Sequence, residues 1–225
     1  MSRLRPALLI AAKDLRVEMR TKDILPAVGL FALLVVTVAS FAFPTSGPGR
    51  EGVAAGMLWM AFLFAGLLGM GRSFALESEE ACIAGLVASP APSESIFIGK
   101  LLSNLVFTLA AEAAILPAFL VLLQLNPGPG LPLLLVTSVA GTFGIVVVGT
   151  LLSAMAVNTR TREAILPILA IPISVPALIA SVQATQAALE GKDIAAAAPW
   201  LFLLVGYGAM FLLVALATFP YVLEE

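Results

Sequence analysis

Glu112 is the residue whose setting in the sequence most suggests chemistry, because it is the only ionisable side chain well inside an apolar run. A carboxylate surrounded by lipid is unfavourable, so Glu112 is expected to face the interior of a helix bundle or a water-filled cavity. Two interpretations stay open from the sequence. Glu112 either contacts a proton or a substrate, or it is a protonated or hydrogen-bonded carboxyl group that holds two helices together.

Several side chains that catalysis and metal binding usually require are missing from the sequence. There are no histidines, which removes the commonest general base and the commonest metal ligand. The single cysteine, Cys82, excludes an intrachain disulfide. The sequence has no phosphate-binding loop of the form G-x-x-x-x-G-K-S/T. We therefore expect no catalytic residue, no metal site, no stably bound cofactor and no nucleotide hydrolysis by this chain alone.

The segment 72–100 contains a second candidate site, in which an acidic stretch is followed by a short apolar one. The residues concerned are Glu77, Glu79, Glu80, Ile83, Leu86, Ser89 and Pro90. Carboxylates are favourable at a helix N-terminus and proline ends a helix, so the pattern predicts a short helix over 77–88. Such a helix is either a docking site for a partner protein or a solvated connector, and the residues alone do not separate the two.

Three prolines, Pro167, Pro172 and Pro176, lie within one apolar run. Proline removes a backbone hydrogen bond and bends a helix. Proline is commoner in transmembrane helices than in soluble ones, but three within ten residues exceed a chance occurrence. The pattern predicts a real bend and leaves open whether the bend moves.

The segments that carry these residues are apolar enough to cross a membrane. Hydrophobic residues make up 60% of the 225 and charged residues only 12%, whereas a soluble domain carries roughly a quarter charged residues. Each of six apolar runs is long enough to cross about 30 Å of hydrocarbon as a helix. The runs are 24–43, 52–71, 101–125, 132–157, 164–183 and 199–221. The predicted fold is therefore an all-α polytopic membrane protein with six transmembrane helices.

The distribution of basic residues predicts the orientation in the membrane. Of the 12 lysines and arginines, only Arg50 and Lys192 fall in loops on one side. Cytoplasmic loops carry an excess of basic residues, so both termini are predicted to be cytoplasmic. No basic stripe extends beyond the membrane flanks, and no nucleic-acid partner is expected.

The segment before the first apolar run has the pattern of an amphipathic helix. Leu8, Ala12, Leu15 and Met19 recur at three- and four-residue spacing and share one face, while basic residues lie on another. Such a helix suits the headgroup layer of a membrane. An ordinary juxtamembrane anchor is the alternative.

The order of these parts resembles the permease subunits of ABC-2-type transporters. A loop similar to the one through which such permeases contact their ATPase reads E-S-E-E-A-C-I-A-G-L-V-A-S-P, followed by Gly99 and Lys100. More narrowly, the chain resembles the CcmB family, the haem exporter B subunits of cytochrome c maturation. The matching pieces are K-D-L-R-V-E-M-R, the Trp59 span ending in G-R-S-F-A-L-E, and N-T-R-T-R-E before L-P-I-L-A-I-P-I-S-V-P.

The resemblance implies a single transmembrane permease domain, 1–225, with an interfacial helix at 1–23 and a six-helix bundle at 24–221. It implies a bacterial inner membrane location, a CcmA-like ATPase partner, and association with CcmC, CcmD and the haem chaperone CcmE. ATP hydrolysis would be coupled to haem export or to release of the haem-loaded chaperone, with the residues from Glu77 to Pro90 as the coupling loop. The resemblance leaves open whether the chain forms a homodimer. The alternatives are an ABC-2-type exporter of a lipid, glycan or drug, and a non-transporting membrane scaffold for an ATPase.

Overall fold

Helices form the whole of the regular structure in the described part of the chain. The computed structural model describes residues 4–21, 24–42, 47, 49–79, 92–156 and 162–224. Its α-helices are α1 (Leu4–Thr21), α2 (Ile24–Ala42), α3 (Arg50–Glu79), α4 (Ser93–Leu122), α5 (Leu131–Ala156), α6 (Arg162–Leu189) and α7 (Ala198–Glu224). Two short 3-10 turns, Gly128–Gly130 and Ile194–Ala197, lead into α5 and α7.

Five of these helices, α3 to α7, are long and apolar enough to cross a membrane, counting only described residues. The first predicted span corresponds to α2, whose apolar part covers Gly29–Val38. Large apolar side chains such as Phe41 and Phe202 are 88% and 78% exposed, which suits a helix surface that faces lipid. The all-α membrane fold is confirmed, while the first predicted span, at 24–43, stays a prediction.

The connection between α3 and α4 is shorter than the predicted loop at 72–100, because both helices extend into it. Residues 72–79 include no proline or glycine that would end a helix, and α3 continues to Glu79. Glu77 and Glu79 therefore lie at the end of α3, and the prediction that a separate helix starts at Glu77 is wrong. The predicted coupling residues that lie outside the described part are Glu80, Ile83, Leu86, Ser89 and Pro90.

The start of α4 also differs from the prediction. This helix begins at Ser93, directly after Pro92, with Glu94 in its first turn, where a carboxylate interacts favourably with the helix dipole. Phe97 and Lys100 are buried within it. The assignment of Lys100 to a loop is therefore wrong, because eight further residues join the helix before the predicted start at 101.

Helix α5 is the centre of the bundle. It packs against α3, α4, α6 and α7, and every residue from 144 to 154 is buried, on all sides of the helix. Glycine allows a close approach to α7, since a Cβ atom at Gly144 would lie 3.1 Å from the ring of Tyr207. Small residues at such contacts let membrane helices pack tightly.

Helix α6 is continuous from Arg162 to Leu189 although three prolines lie inside it. Pro172 and Pro176 are exposed, so these two rings lie on the outer surface of the helix and leave the packed face undisturbed. The bend that Pro167, Pro172 and Pro176 predict stays a prediction.

Candidate functional site

The N-terminal helix α1 is packed against the first turns of α4. The helices come closest at Gly99, where a Cβ atom would lie 2.8 Å from the carbonyl oxygen of Ala7 and 2.8 Å from the Cβ of Ile10. Ala7 and Ala11 are buried on this face of α1. Only glycine allows so close an approach without displacing one helix. Gly99, quoted above for the family resemblance, is thus the point where α1 contacts α4.

An adjacent face of α1, about 100° around the helix axis from Ala7, carries the apolar residues that the sequence singled out. Leu8 is 59% exposed and Met19 is 66% exposed, and Ala12 is exposed between them. The helix therefore presents one face to α4 and leaves an apolar face uncovered. An uncovered apolar face is what a helix in the headgroup layer requires, and that location stays a prediction.

A buried ion pair joins α1 to α4. Lys100 Nζ lies 2.9 Å from Asp14 Oδ2, and the two side chains are 1% and 13% exposed. The hydroxyl of Ser103 lies 3.4 Å from the same carboxylate oxygen, and Lys13 Nζ lies 3.2 Å from the other oxygen. Burying a charge is unfavourable unless it is paired, and Asp14 compensates the buried charge of Lys100. Sequence reasoning missed the pair because Lys100 was assigned to a loop and no local pattern relates it to Asp14.

The end of α3 is the second feature on the predicted cytoplasmic side. Its 30 residues give a length of about 45 Å at 1.5 Å per residue, which exceeds a hydrocarbon core of about 30 Å. The apolar crossing part is Arg50–Met70. The last turns, which include Glu77 and Glu79, therefore lie beyond this part.

Glu112 lies in the interior of the bundle, between α4 and α5. It is 4% exposed, and Thr142 Oγ1 lies 2.6 Å from Oε1 and 2.8 Å from Oε2. The structure therefore provides the hydrogen bond that a helix-to-helix contact requires. This contact supports the second interpretation of Glu112, whose role in function stays a hypothesis.

Three further polar contacts connect buried parts of different helices. The donor and acceptor pairs are Trp59 Nε1 to Thr185 Oγ1 at 2.8 Å, Asn104 Nδ2 to Thr150 Oγ1 at 3.0 Å, and Ser153 Oγ to the Met70 carbonyl at 3.3 Å. They connect α3 to α6, α4 to α5, and α5 to α3. Hydrogen bonds between membrane helices satisfy polar groups that lipid cannot satisfy.

Tyr207 connects α7 to the proline-containing part of α6. Its hydroxyl donates to the carbonyl of Ile173 at 2.8 Å. Ile173 precedes Pro176 by three residues, and proline disturbs the helical hydrogen bonds of the turn before it. The phenol therefore donates to a backbone carbonyl in the turn that proline weakens.

Met70 and Tyr207 have side chains of types that ligate haem iron in other proteins, and here they are used for packing and hydrogen bonding. Met70 is 1% exposed and its sulfur packs against Gly149, while the hydroxyl of Tyr207 is used as described. In the part of the chain that the structure describes, no group of three or more His, Cys, Asp or Glu residues is placed to hold a metal ion. The expectation of no stably bound cofactor stays a prediction.

Long apolar helices packed around a buried central helix define a polytopic membrane protein. The chain belongs to the CcmB family, because the family model described as CcmB protein matches residues 5–224. The resemblance seen in the sequence is thereby confirmed.

Curated relatives agree with this family. Heme exporter protein B of Rhodobacter capsulatus is 33% identical over 185 residues, covering 82% of this chain and 84% of its own length. The protein of the same name from Paracoccus denitrificans is 32% identical over 187 residues, covering 83% and 84%. That from Pseudomonas aeruginosa is 26% identical over 193 residues, covering 86% of each chain. The apolar helices and these relatives together support a multi-pass bacterial membrane protein.

Proposed function

We propose that this chain is the membrane subunit of an ABC transporter complex for cytochrome c maturation. A separate CcmA-like subunit hydrolyses ATP, and the energy drives haem export or the release of haem-loaded CcmE from a complex with CcmC and CcmD. The relatives named heme exporter protein B support haem as the cargo. They also favour this proposal over an exporter of a lipid, glycan or drug and over a scaffold that transports nothing.

The observation that carries the proposal is the extension of α3 beyond its apolar part. The acidic end of this helix reaches the side on which we place the ATPase. Farther along the same helix, Trp59 hydrogen-bonds to α6 and the Met70 carbonyl accepts a hydrogen bond from α5. A tilt of α3 imposed by a docked ATPase would therefore move α5 and α6 directly.

We place the chain in the bacterial inner membrane with both termini in the cytoplasm. The two basic residues assigned to the outer side have partners close to that side. Arg50 donates to the carbonyls of Leu123 and Gln124 at the end of α4, and Lys192 pairs with Glu190 after α6 at 2.5 Å. The Arg50 contacts support an arrangement in which α3 begins where α4 ends.

Charge reversal at the end of α3 tests the proposal. We expect Glu79→Lys combined with Glu80→Lys to weaken co-purification of the ATPase subunit, or to leave ATP hydrolysis intact while cytochrome c maturation falls. Glu51→Lys is the matched control, because it reverses a charge in the first turn of the same helix at the opposite end. Unchanged ATPase binding and unchanged maturation in the double variant would show that the docking surface lies elsewhere.

A further inference from the structure

We infer that α1 and the first turns of α4 move as one rigid joint, with the Asp14–Lys100 ion pair as the positioning contact. Through this joint, a force applied to α1 reaches the centre of the bundle. The second half of this inference rests on the proposed function, because a partner that moves α1 is required. The first half concerns this chain alone.

Two contacts of different kinds fix α1 on α4. Ala7, Ala11 and Asp14 are spaced by four and three residues, so they lie on one face of the helix. Ala7 packs directly on Gly99, and Asp14, two turns farther along, lies 2.9 Å from the ammonium of Lys100. Apolar packing alone would allow α1 to slide or rotate, whereas a buried ion pair accepts one alignment.

Helix α4 is in turn fixed to the central helix. Asn104 lies one turn beyond Lys100 and donates to Thr150 of α5 at 3.0 Å. Glu112, two turns farther, is hydrogen-bonded to Thr142 of the same helix. A displacement of α1 would thus pass along α4 and reach α5 at two separate heights in the bundle.

The ion pair gives the inference a specific signature, because two different substitutions remove the same contact. Asp14→Asn removes the carboxylate 2.9 Å from the Lys100 ammonium, and Lys100→Met removes the ammonium of the same pair. The effects of two substitutions that remove one shared interaction do not add. Asp14→Asn combined with Lys100→Met is therefore expected to loosen the joint no more than Asp14→Asn alone.

The experiment measures the distance between α1 and α4 in the full chain reconstituted with its partner subunits in lipid nanodiscs. Spin labels are attached through Arg16→Cys and Val106→Cys, both at exposed positions, in a Cys82→Ser background. Pulsed electron spin resonance is expected to give a narrow distance distribution for the parent. The distribution broadens in Asp14→Asn, broadens no further when Lys100→Met is added, and stays narrow in the control Lys13→Met, which removes the exposed neighbour of the same carboxylate. A narrow distribution in Asp14→Asn would overturn the joint.

Cytochrome c maturation and ATP hydrolysis, measured on the same variants, test the transmission of force. We expect maturation to fall in Asp14→Asn and to fall no further in the double variant, while hydrolysis continues. A broadened distance distribution in Asp14→Asn together with full maturation would show that α1 does not transmit force to the bundle, although the ion pair still fixes α1 on α4. If the Glu79→Lys and Glu80→Lys variant keeps both ATPase binding and maturation, the proposed docking fails, and the distance measurement still decides whether the joint exists.

Discussion

The carboxyl group of Glu112 in α4 lies against the hydroxyl group of Thr142 in α5, with Thr142 Oγ1 2.6 Å from Oε1. Because Glu112 is 4% exposed, this hydroxyl supplies the hydrogen bond that water would supply to an exposed carboxyl group. We expect Thr142→Val to destabilise the bundle by about 1–3 kcal/mol, since the carboxyl group loses its hydrogen-bond partner at nearly constant side-chain volume. Thermal unfolding in detergent measures the change.

Glu112→Gln separates the two interpretations of this residue. Glutamine keeps an oxygen that can accept from Thr142 and cannot exchange a proton at this position. We expect its melting temperature and its cytochrome c maturation to stay close to those of the parent chain. Normal stability with lost maturation would contradict this expectation and would favour a proton or substrate contact.

Gly141 is expected to tolerate no larger side chain. A Cβ atom at this position would overlap with the ring of Trp59 and with the hydroxyl of Ser181. We expect Gly141→Ala to cost about 1–3 kcal/mol of stability through overpacking. Gly56→Ala is the matched control, because no described atom lies within 4 Å of its added Cβ and alanine is favoured over glycine in a helix by about 0.5–1 kcal/mol. Equal stability of the two variants in the same detergent would contradict the packing of Trp59 on α5.

The hydroxyl of Tyr207 is expected to stabilise α6 at its proline-containing turn. Tyr207→Phe removes the hydrogen bond to Ile173 and should cost about 0.5–1.5 kcal/mol. Tyr221→Phe, at a residue that is 71% exposed, should have no measurable effect in the same unfolding experiment. The hydrogen-exchange rate of the amides in α6 should rise only in Tyr207→Phe. An unchanged rate would show that the Tyr207 hydroxyl does not stabilise α6.

Cys82 provides a direct test of orientation, because it is the only thiol of the chain. The segment that contains it lies outside the described residues and is predicted to be cytoplasmic. A membrane-impermeant maleimide should label Cys82 in inside-out vesicles and leave it unlabelled in intact spheroplasts. Labelling in intact spheroplasts would show that this segment lies outside the cytoplasm, and every loop of the predicted topology would then have to be assigned to the other side.

The isolated subunit is expected to form no stable haem complex with two iron ligands from this chain. Haem iron is usually held by His, Cys, Met or Tyr, and the chain has no histidine. Met70 is buried, Tyr207 is hydrogen-bonded, and Tyr221 lies at the end of α7. The visible spectrum of the purified subunit after expression with ample haem should show no stoichiometric Soret band. A full band that disappears when one Met or Tyr is replaced would refute this expectation.

Hydropathy and charge spacing were sufficient to predict the helices, because each apolar run reports on one local element. The cores of α3 to α7 coincide with the predicted spans. The ends of helices were predicted less well, since Lys100 was assigned to a loop and Glu77 to the start of a separate helix. Lys100 instead lies in a helix, where Asp14 compensates its charge. A charged residue therefore marks the end of a span when its charge is solvated by water, and not when another side chain of the protein compensates the charge, as Asp14 does here.

The contacts between helices could not be predicted from the sequence. Trp59 and Thr185 are 126 positions apart, and Asn104 and Thr150 are 46 apart. Their pairing depends on which helices are neighbours in three dimensions, and one sequence contains no signal for that. Glu112 was identified because it is unusual within its own span, whereas Thr142 is an ordinary threonine until α4 is placed beside it.

The contact of α1 with α4 also constrains the order of events during synthesis. Ser103 follows Asp14 by 89 positions, and at about 5–20 residues per second the ribosome needs on the order of 5–20 s to reach it. During that interval Asp14 has already been synthesised, and the helix that supplies Lys100 has not. The N-terminal helix therefore cannot form this contact until α4 has been synthesised, and until then its Asp14 carboxylate has no Lys100 to pair with.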